Sequence, residues 1–358
     1  MPNTLAMHLG ILYLGGTIGC SGSPLTPLAA EIFLPCLKTI IAEEISRPLL
    51  SDAEAESINA TQTSWHFYSG EIKDSSALVP EDWADILAML LHPDQHHIKH
   101  WIILHGTDTL AFTAAFLETA LQGTDLNVVV TGSQLPLLNP VALTLDRASD
   151  ALGNLKTAYQ ILKNAQSHTQ GWVCVAFHQQ SWAADTVQKI HTQELTAFSG
   201  QKEEAHGSQI SVHNNRPYLT NHTNFESLKK QLSAINIQIY YASPLPSHTL
   251  AEQLEHILTS GVEAVILMAY GLGNFPDDLR IHRALLAAEQ RGVMVIITTQ
   301  VPFGGVETRY AAGNWLSACG VLSAKILPLP AIFAKLAWLL ITEANFIERR
   351  KKWLALTA

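Results

Sequence analysis

The sequence is short of charge, short of cysteine and free of long apolar runs, and each shortage removes a class of protein. Only 15% of its 358 residues are charged, and acids outnumber bases to leave a formal net charge of −9. A chain of that sign repels polyanions, which argues against a nucleic-acid or anionic-membrane partner. The cysteines, Cys20, Cys36, Cys174 and Cys319, are scattered with no pair at metal or redox spacing. They fit buried thiols in a reducing compartment. The most apolar stretch, Ala331 to Ile341, is broken by Lys335 and too short to span a bilayer. Ile11 to Leu14 is apolar as well, but no Lys or Arg precedes it, and Gly-Gly-Thr follows in place of a cleavage site. The expectation is a soluble, cytoplasmic protein whose hydrophobic content of 47% supplies ample core.

What is present is a set of strand-end turns. Ile102-Ile-Leu-His105-Gly106-Thr107-Asp108-Thr109 reads as a buried parallel strand that stops at a glycine, followed by an apolar helical run from Leu110 to Leu121. Such a turn lies at the carboxyl edge of a sheet, where open α/β folds bind ligands. The helix start adds free N–H groups suited to an anion or a developing oxyanion. Thr107 or Asp108 could equally serve only as a helix cap. Leu9 to Leu14 is another buried-type strand, and its turn, Gly15-Gly16-Thr17-Ile18-Gly19, leaves Thr17 as the reactive side chain. Neither turn carries the lysine of a phosphate loop. Asn127 to Val130 is a third strand, ending in Thr131-Gly132-Ser133-Gln134-Leu135-Pro136. Three such turns would converge on one sheet edge.

Cys20 to Leu28, rich in Gly, Ser and Pro, reads as a loop, and Ala29 to Ala42 as a helix. Ser64 to Tyr68 reads as a strand, Val79-Pro80-Glu81-Asp82-Trp83 opens a helix, and Asp146 to Leu162 is helical by periodicity. The run His92-Pro93-Asp94-Gln95-His96-His97-Ile98-Lys99-His100 is the histidine cluster of the chain. His92 and His96 have a metal-like spacing, but Pro93 breaks the helix that would put them on one face, so a surface connection and no metal is the expectation. Strands alternate with helices again after Ile235. At this length two domains are expected. They are a larger N-terminal α/β domain with a mainly parallel sheet (1–199) and a smaller C-terminal α/β domain (235–358), joined by a polar linker (200–234).

The groups able to do chemistry are Thr17, Thr107, Asp108, the pair Ser75 and Ser76, and Lys189, the only lysine between Ala165 and Gln201. A threonine hydroxyl needs a neighbouring base to become a nucleophile. A lysine can be that base, and a carboxylate can orient it. Spacing alone does not select Lys189, which by itself reads as a surface residue.

With these residues in view, the chain resembles the bacterial-type L-asparaginase family, most like its cytoplasmic type I branch, over nearly its whole length. The family signature T-G-G-T-I stands here as L-G-G-T-I from Leu14 to Ile18, and H-G-T-D-T is complete from His105 to Thr109. D-S-S-x-x-x-P-E-D-W runs from Asp74 to Trp83, V-T-G-S-Q-x-P from Val130 to Pro136, S-D-x-x-x-N-L from Ser149 to Leu155, and Y-G-x-G-N from Tyr270 to Asn274. Lys189 stands eight residues before Ala197-Phe198, the spacing around the family's active-site lysine. The resemblance implies hydrolysis of L-asparagine to L-aspartate and ammonia, without metal or organic cofactor, by a homodimer or homotetramer. It assigns Thr17 as the nucleophile that forms an acyl-enzyme. Thr107, Lys189 and Asp108 become the set that activates a hydroxyl or water, and Ser75, Ser76, Asp108 and Thr107 the substrate-binding positions.

The sequence departs from the family pattern twice. Leu14 replaces the first threonine of T-G-G-T-I. The family's tyrosine on the loop after the nucleophile is missing between Cys20 and Pro27, and Leu25 stands at the matching position. Two alternatives to an L-asparaginase therefore stay open: an amidohydrolase for another amide, and a catalytically silent homologue that binds aspartate or asparagine.

Overall fold

Leu9 to Gly15 offers no polar face, the pattern of a strand covered on both sides. These residues are buried and form most of β1 (Met7–Gly15). The computed structural model describes residues 7–46, 63–165, 171–202, 218–220, 222–307 and 311–357. The chain divides into two compact units, 1–225 and 226–358.

In the first unit β1 is followed by the short strands β2 (Cys20–Ser21) and β3 (Thr26–Pro27), α1 (Ala30–Ile41), β4 (Thr63–Lys73) and α2 (Pro80–Leu90). Then come β5 (His100–Leu104), α3 (Leu110–Ala120), β6 (Asn127–Thr131), α4 (Ala151–Asn164), β7 (Trp172–Phe177), β8 (Gln180–Ala183), β9 (Gln188–Lys189) and β10 (Phe198–Ser199). One sheet runs in the order β4-β1-β5-β6-β7-β8. Its neighbours pair in parallel except β8, which returns antiparallel along β7. The chain steps outward from β1 to β4, then crosses back to β5 and continues to β6. The order therefore reverses between β1 and β5, and their carboxyl ends are where an open α/β sheet takes a ligand.

Period two sorts the side chains of β1. Leu9, Ile11 and Tyr13 join Phe33, Leu37 and Ile41 of α1 in one core, with Trp65 and Phe67 of β4 packed on it. His8, Gly10 and Leu12 belong to the opposite face. There Gly10 makes room for the buried Trp101 ring: a Cβ at residue 10 would lie 2.4 Å from it.

In the second unit α5 (Phe225–Ala234) leads into β11 (Ile237–Tyr241), α6 (Ser247–Thr259), β12 (Ala264–Ala269), α7 (Leu279–Gln290) and β13 (Met294–Thr299). These are followed by α8 (Ala311–Ala318), β14 (Leu322–Ser323), α9 (Leu329–Thr342) and α10 (Phe346–Leu356). The sheet β11-β12-β13-β14 is parallel throughout. Its two faces carry separate cores, one closed by α6 and α7 and the other by α9 with Trp353 of α10. Both units thus have the α/β class expected from the sequence. No helix among the described residues is long and apolar enough to cross a membrane.

Three local expectations are corrected. The strand expected at Ser64–Tyr68 continues to Lys73, because as an edge strand it accepts Glu71 and Lys73 on its open side. The helix expected from Asp146 begins at Ala151. Before it, the Asp146 amide donates to Leu137 O and the Asp150 carboxylate accepts the amides of Gln134 and Leu135. Cys20 to Pro27 is a hairpin, pairing Cys20 with Pro27 and Ser21 with Thr26. Of the polar stretch 200–234, residues 203–217 lie outside the described residues. Lys202 bridges to Trp182, and the far end is α5.

Because the Trp101 ring fills the space a side chain at residue 10 would need, Gly10→Ala should lower the unfolding free energy by about 1–3 kcal/mol. Urea unfolding of the purified chain measures this, and an unchanged midpoint would contradict the packing.

Candidate active site

Three chain segments meet outside the carboxyl ends of β1, β4 and β5. At the first, Gly16 takes φ 83° and Thr17 begins a short 3-10 turn, Thr17–Gly19. A Cβ on Gly16 would lie 2.4 Å from the Cα and N of Gly106. A Cβ on Gly106 would lie 2.5 Å from Ser75 Oγ and 3.2 Å from Gly16 Cα. Backbone therefore touches backbone here, and only glycine fits on either side. The contact brings the Thr17 turn against the Thr107 turn.

Ser75 is the third party. It opens a 3-10 turn, Ser75–Ala77, and is 3% exposed. Its Oγ accepts the Asp108 amide at 3.2 Å, and its carbonyl accepts Thr109 Oγ1 at 2.7 Å. Asp74 caps the same turn, accepting the Ser76 hydroxyl at 2.6 Å and the Ser76 amide at 2.9 Å. These two bonds, the side-chain one first, hold the Asp74 carboxyl below its ordinary pKa.

Lys189 arrives from the far side on the β9–β10 pair, opposite Phe198. Its ammonium donates to Thr107 Oγ1 at 2.8 Å and to Asp108 Oδ1 at 2.7 Å. Thr107 is 7% exposed, whereas the Asp108 side chain is 57% exposed. An ion pair so open adds little to stability. Its consequence is positional: one cation fixes a hydroxyl and a carboxylate at adjacent residues.

The floor of the site is neutral. Trp83 Nε1 donates to Thr113 Oγ1 at 3.0 Å, and Thr113 Oγ1 lies 2.9 Å from His105 Nε2. His105 Nδ1 lies 2.8 Å from the Gly106 carbonyl. An indole can only donate and a carbonyl can only accept, which fixes the rest. Nδ1 carries the proton to Gly106 O, and Nε2 accepts the Thr113 hydroxyl. Desolvation of the fully buried ring lowers its pKa to about 4, so it stays neutral. Tyr13 lies under the first turn, donating to Leu28 O at 3.0 Å, and burial raises its pKa. Its proton is committed to holding the turn. Burial and then Asp74 push the Cys20 thiol up to about 11, which removes it as a nucleophile.

The third turn, after β6, is clamped by α4. Asp150 accepts the Gln134 and Leu135 amides, and Asn154 Nδ2 donates to the Gly132 carbonyl at 2.9 Å. Gln134 Nε2 reaches the carbonyls of Thr192 and Glu194, tying this turn to the segment that follows Lys189.

Residues 8–221 match the family described as Asparaginase, N-terminal, and residues 237–353 match the Glutaminase/Asparaginase C-terminal domain. The chain belongs to the asparaginase family. It is 29% identical over 347 residues to L-asparaginase 1 of Escherichia coli K12, covering 95% of this chain and 94% of that one. The solved structure of L-asparaginase I from Vibrio cholerae superposes with a TM-score of 0.73 at 26% identity, over 97% of each chain. The human 60 kDa lysophospholipase is 26% identical over 292 residues, covering 78% of this chain and 47% of that protein. Membership makes this protein an amidohydrolase of asparaginase type.

Of the residues singled out in the sequence, Thr107, Asp108 and Lys189 share direct contacts, and Ser75 bonds the Asp108 backbone. Ser76 is held by Asp74. Thr17 is brought to the same edge through Gly16, and among the described residues its hydroxyl forms no hydrogen bond. The Trp83–Thr113–His105 chain of bonds is not legible in the sequence. Its one visible signal was a polar residue, Thr113, eight positions after His105 in an apolar helix.

The buried His105 sets a pH dependence. Its folded pKa, about 4, lies below imidazole's ordinary 6.5, so the unfolded chain takes up the proton first as pH falls. Stability present above pH 6.5 should decline between pH 6.5 and 4 by on the order of 3 kcal/mol from this group. Unfolding midpoints at pH 7 and 4.5 measure the slope, which His105→Gln should flatten. Thr113→Val, which removes the hydroxyl that bonds both the Trp83 indole and the buried imidazole, should cost about 1–3 kcal/mol at pH 7.

Proposed function

We propose that this protein is an L-asparaginase, hydrolysing L-asparagine to L-aspartate and ammonia, with Thr17 as nucleophile. The carrying observation is the Lys189 ammonium, bonded at once to Thr107 Oγ1 and Asp108 Oδ1 beside the Gly16–Gly106 contact. An amide needs a nucleophile on its carbon, a place for the charge on its oxygen and a proton for the departing nitrogen. Thr17 supplies the hydroxyl. As the hydroxyl attacks, its proton passes into the Thr107–Lys189 pair, and the pair delivers a proton to the amide nitrogen, so that collapse expels ammonia and leaves an ester on Thr17. Water then attacks the ester, and its proton passes through the same pair to Thr17 Oγ as aspartate leaves, which restores the hydroxyl.

Ser75, Ser76, Asp108 and Thr107 form the substrate-binding side. Asp108 presents its exposed carboxylate to the α-amino group, and the Ser75–Ala77 turn lies where the α-carboxylate would sit. The buried Ser75 hydroxyl already accepts the Asp108 amide, so it acts chiefly by holding that turn. The reaction draws on no metal or organic cofactor. The family resemblance read from the sequence implies a cytoplasmic homodimer or homotetramer, and that assembly and location are part of the proposal.

A second reading, an enzyme for another amide or a silent binder of aspartate or asparagine, is favoured by one feature. Leu25 stands 53% exposed between β2 and β3 with no proton to exchange, while Tyr13 is bonded to backbone carbonyls.

Ammonia release from asparagine, glutamine and simple amides separates the readings. Thr17→Ala and Lys189→Met should each lower kcat by at least about 100-fold, the scale of a lost general base. Release that survives Thr17→Ala sinks the nucleophile assignment. Release from no amide, with aspartate still bound, establishes the silent homologue. Leu25→Tyr should raise kcat if the missing phenol limits turnover, and an unchanged kcat would show that Lys189 already suffices.

A further inference from the structure

At the opposite end of the sheet three histidines meet that the sequence holds far apart. His8 is the second residue of β1 and His66 lies on the neighbouring β4, where His8 pairs with Ser64 and Gly10 with His66. The two histidines therefore share one face of the sheet. His97 comes over them from the turn that precedes β5. The ring centroids are 5.5 Å apart for His8 and His66, 5.2 Å for His8 and His97, and 5.2 Å for His66 and His97. One ring nitrogen from each lies within 4.8 Å of the other two. His8 Nδ1 and His66 Nε2 are already 3.2 Å apart.

We propose that His8, His66 and His97 form a binding site for a divalent transition metal of the zinc class. Three imidazoles with a fourth position open is a set that zinc accepts, at about 2.0–2.1 Å from each nitrogen. Tetrahedral geometry at that bond length separates ligand nitrogens by roughly 3.3 Å. The His8–His66 pair meets this separation. His97 is exposed on its turn, and a movement of about 1.5 Å brings its nitrogen to the same separation. Binding replaces the N–H···N bond between His8 and His66, whose proton passes to the other ring nitrogen. Ser64 Oγ, 3.2 Å from His66 Nε2, is in reach of a water in the fourth position. His92 and His96, whose spacing looks metal-like in the sequence, are spent locally: His92 Nδ1 accepts the Asp94 amide and His96 Nδ1 donates to Pro93 O.

The location defines what the ion does. From His8 to Gly15, β1 runs roughly 23 Å at about 3.3 Å per residue, so the ion takes no part in amide chemistry. It ties the first strand, the edge strand and the turn before β5 together, and binding to the folded chain stabilises it.

The full chain, prepared without a histidine tag and stripped with a chelator, is dialysed against Zn2+ and assayed for bound metal. Its unfolding midpoint is followed in parallel. The expected result is one Zn2+ per chain and a midpoint raised by several degrees. His66→Ala and His97→Ala should each weaken binding by more than about 100-fold, beyond the 10–100-fold effect of an outer-shell contact. His97 is exposed, so its variant retains the fold. His92→Ala should bind as wild type does. No stoichiometric binding by wild type, binding that survives His97→Ala, or binding lost in His92→Ala would each overturn the assignment. None of these readouts depends on amide hydrolysis.

Discussion

The close approach of Gly16 and Gly106 is the constraint on which the site depends. β1 and β5 are neighbours, and the strand order reverses between them, so the turns that leave their carboxyl ends must pass against each other. A side chain at either glycine would overlap the other backbone, and at Gly106 it would also overlap Ser75. The pattern repeats one strand further, where a Cβ on Gly132 would lie 2.3 Å from the His105 carbonyl. Along this edge the chain packs main chain on main chain. That packing frees the side chains of Thr17, Thr107 and Asp108 for the open side of the turns. It also makes their relative positions a property of the backbone, which is the stiffest support a site can have.

The same edge divides into a dry floor and a charged rim. His105, Tyr13 and Cys20 are buried and kept in their neutral forms, each by desolvation before anything else. A charge in that layer would need a partner that the apolar strands do not provide. The rim carries Lys189, Asp108 and Asp74, where water offsets the cost of charge. In the proposed reaction, proton exchange falls to the rim. The floor contributes geometry: His105 donates to Gly106 O and fixes the peptide from which Thr107 projects.

Much of this arrangement is legible in the sequence, for definite reasons. The strands β1, β5 and β6 are unbroken apolar runs that stop at glycines, so both their burial and their end turns can be read locally. Lys189 cannot be read that way. It stands on a two-residue strand, and only the resemblance to a known family singled it out. α4 starts later than Asp146 because the residues before Ala151 hold the β6 turn: the Asp150 carboxylate accepts two of its amides, Ser149 Oγ donates to Leu135 O, and the Asp146 amide donates to Leu137 O. The histidine cluster is hidden for a different reason: 58 residues separate His8 from His66, and strand pairing alone brings them together. Within the run at residues 92–100, His92 and His96 are tied up in local turns and His100 lies in β5, while the exposed His97 is the member that meets His8 and His66.

The segment after Thr17 decides how proton transfer can be shared. Its two ends are held: Cys20 pairs with Pro27, the Leu28 amide donates to Gly19 O, and Ser21 Oγ donates to Pro140 O. Four residues, Gly22 to Leu25, are left to form the tip. A tip so short and so anchored has little reach over the site, and its one large side chain is apolar. On this side Leu25 can exclude water but has no proton to exchange. In the reading proposed here, the amide nitrogen and the water are then served from the opposite wall, where Lys189 already bonds Thr107. On that proposal the chemistry is asymmetric, with the nucleophile supplied by one glycine turn and the acid–base work by the other. The distance between the two turns is set by the contact of Gly16 with Gly106.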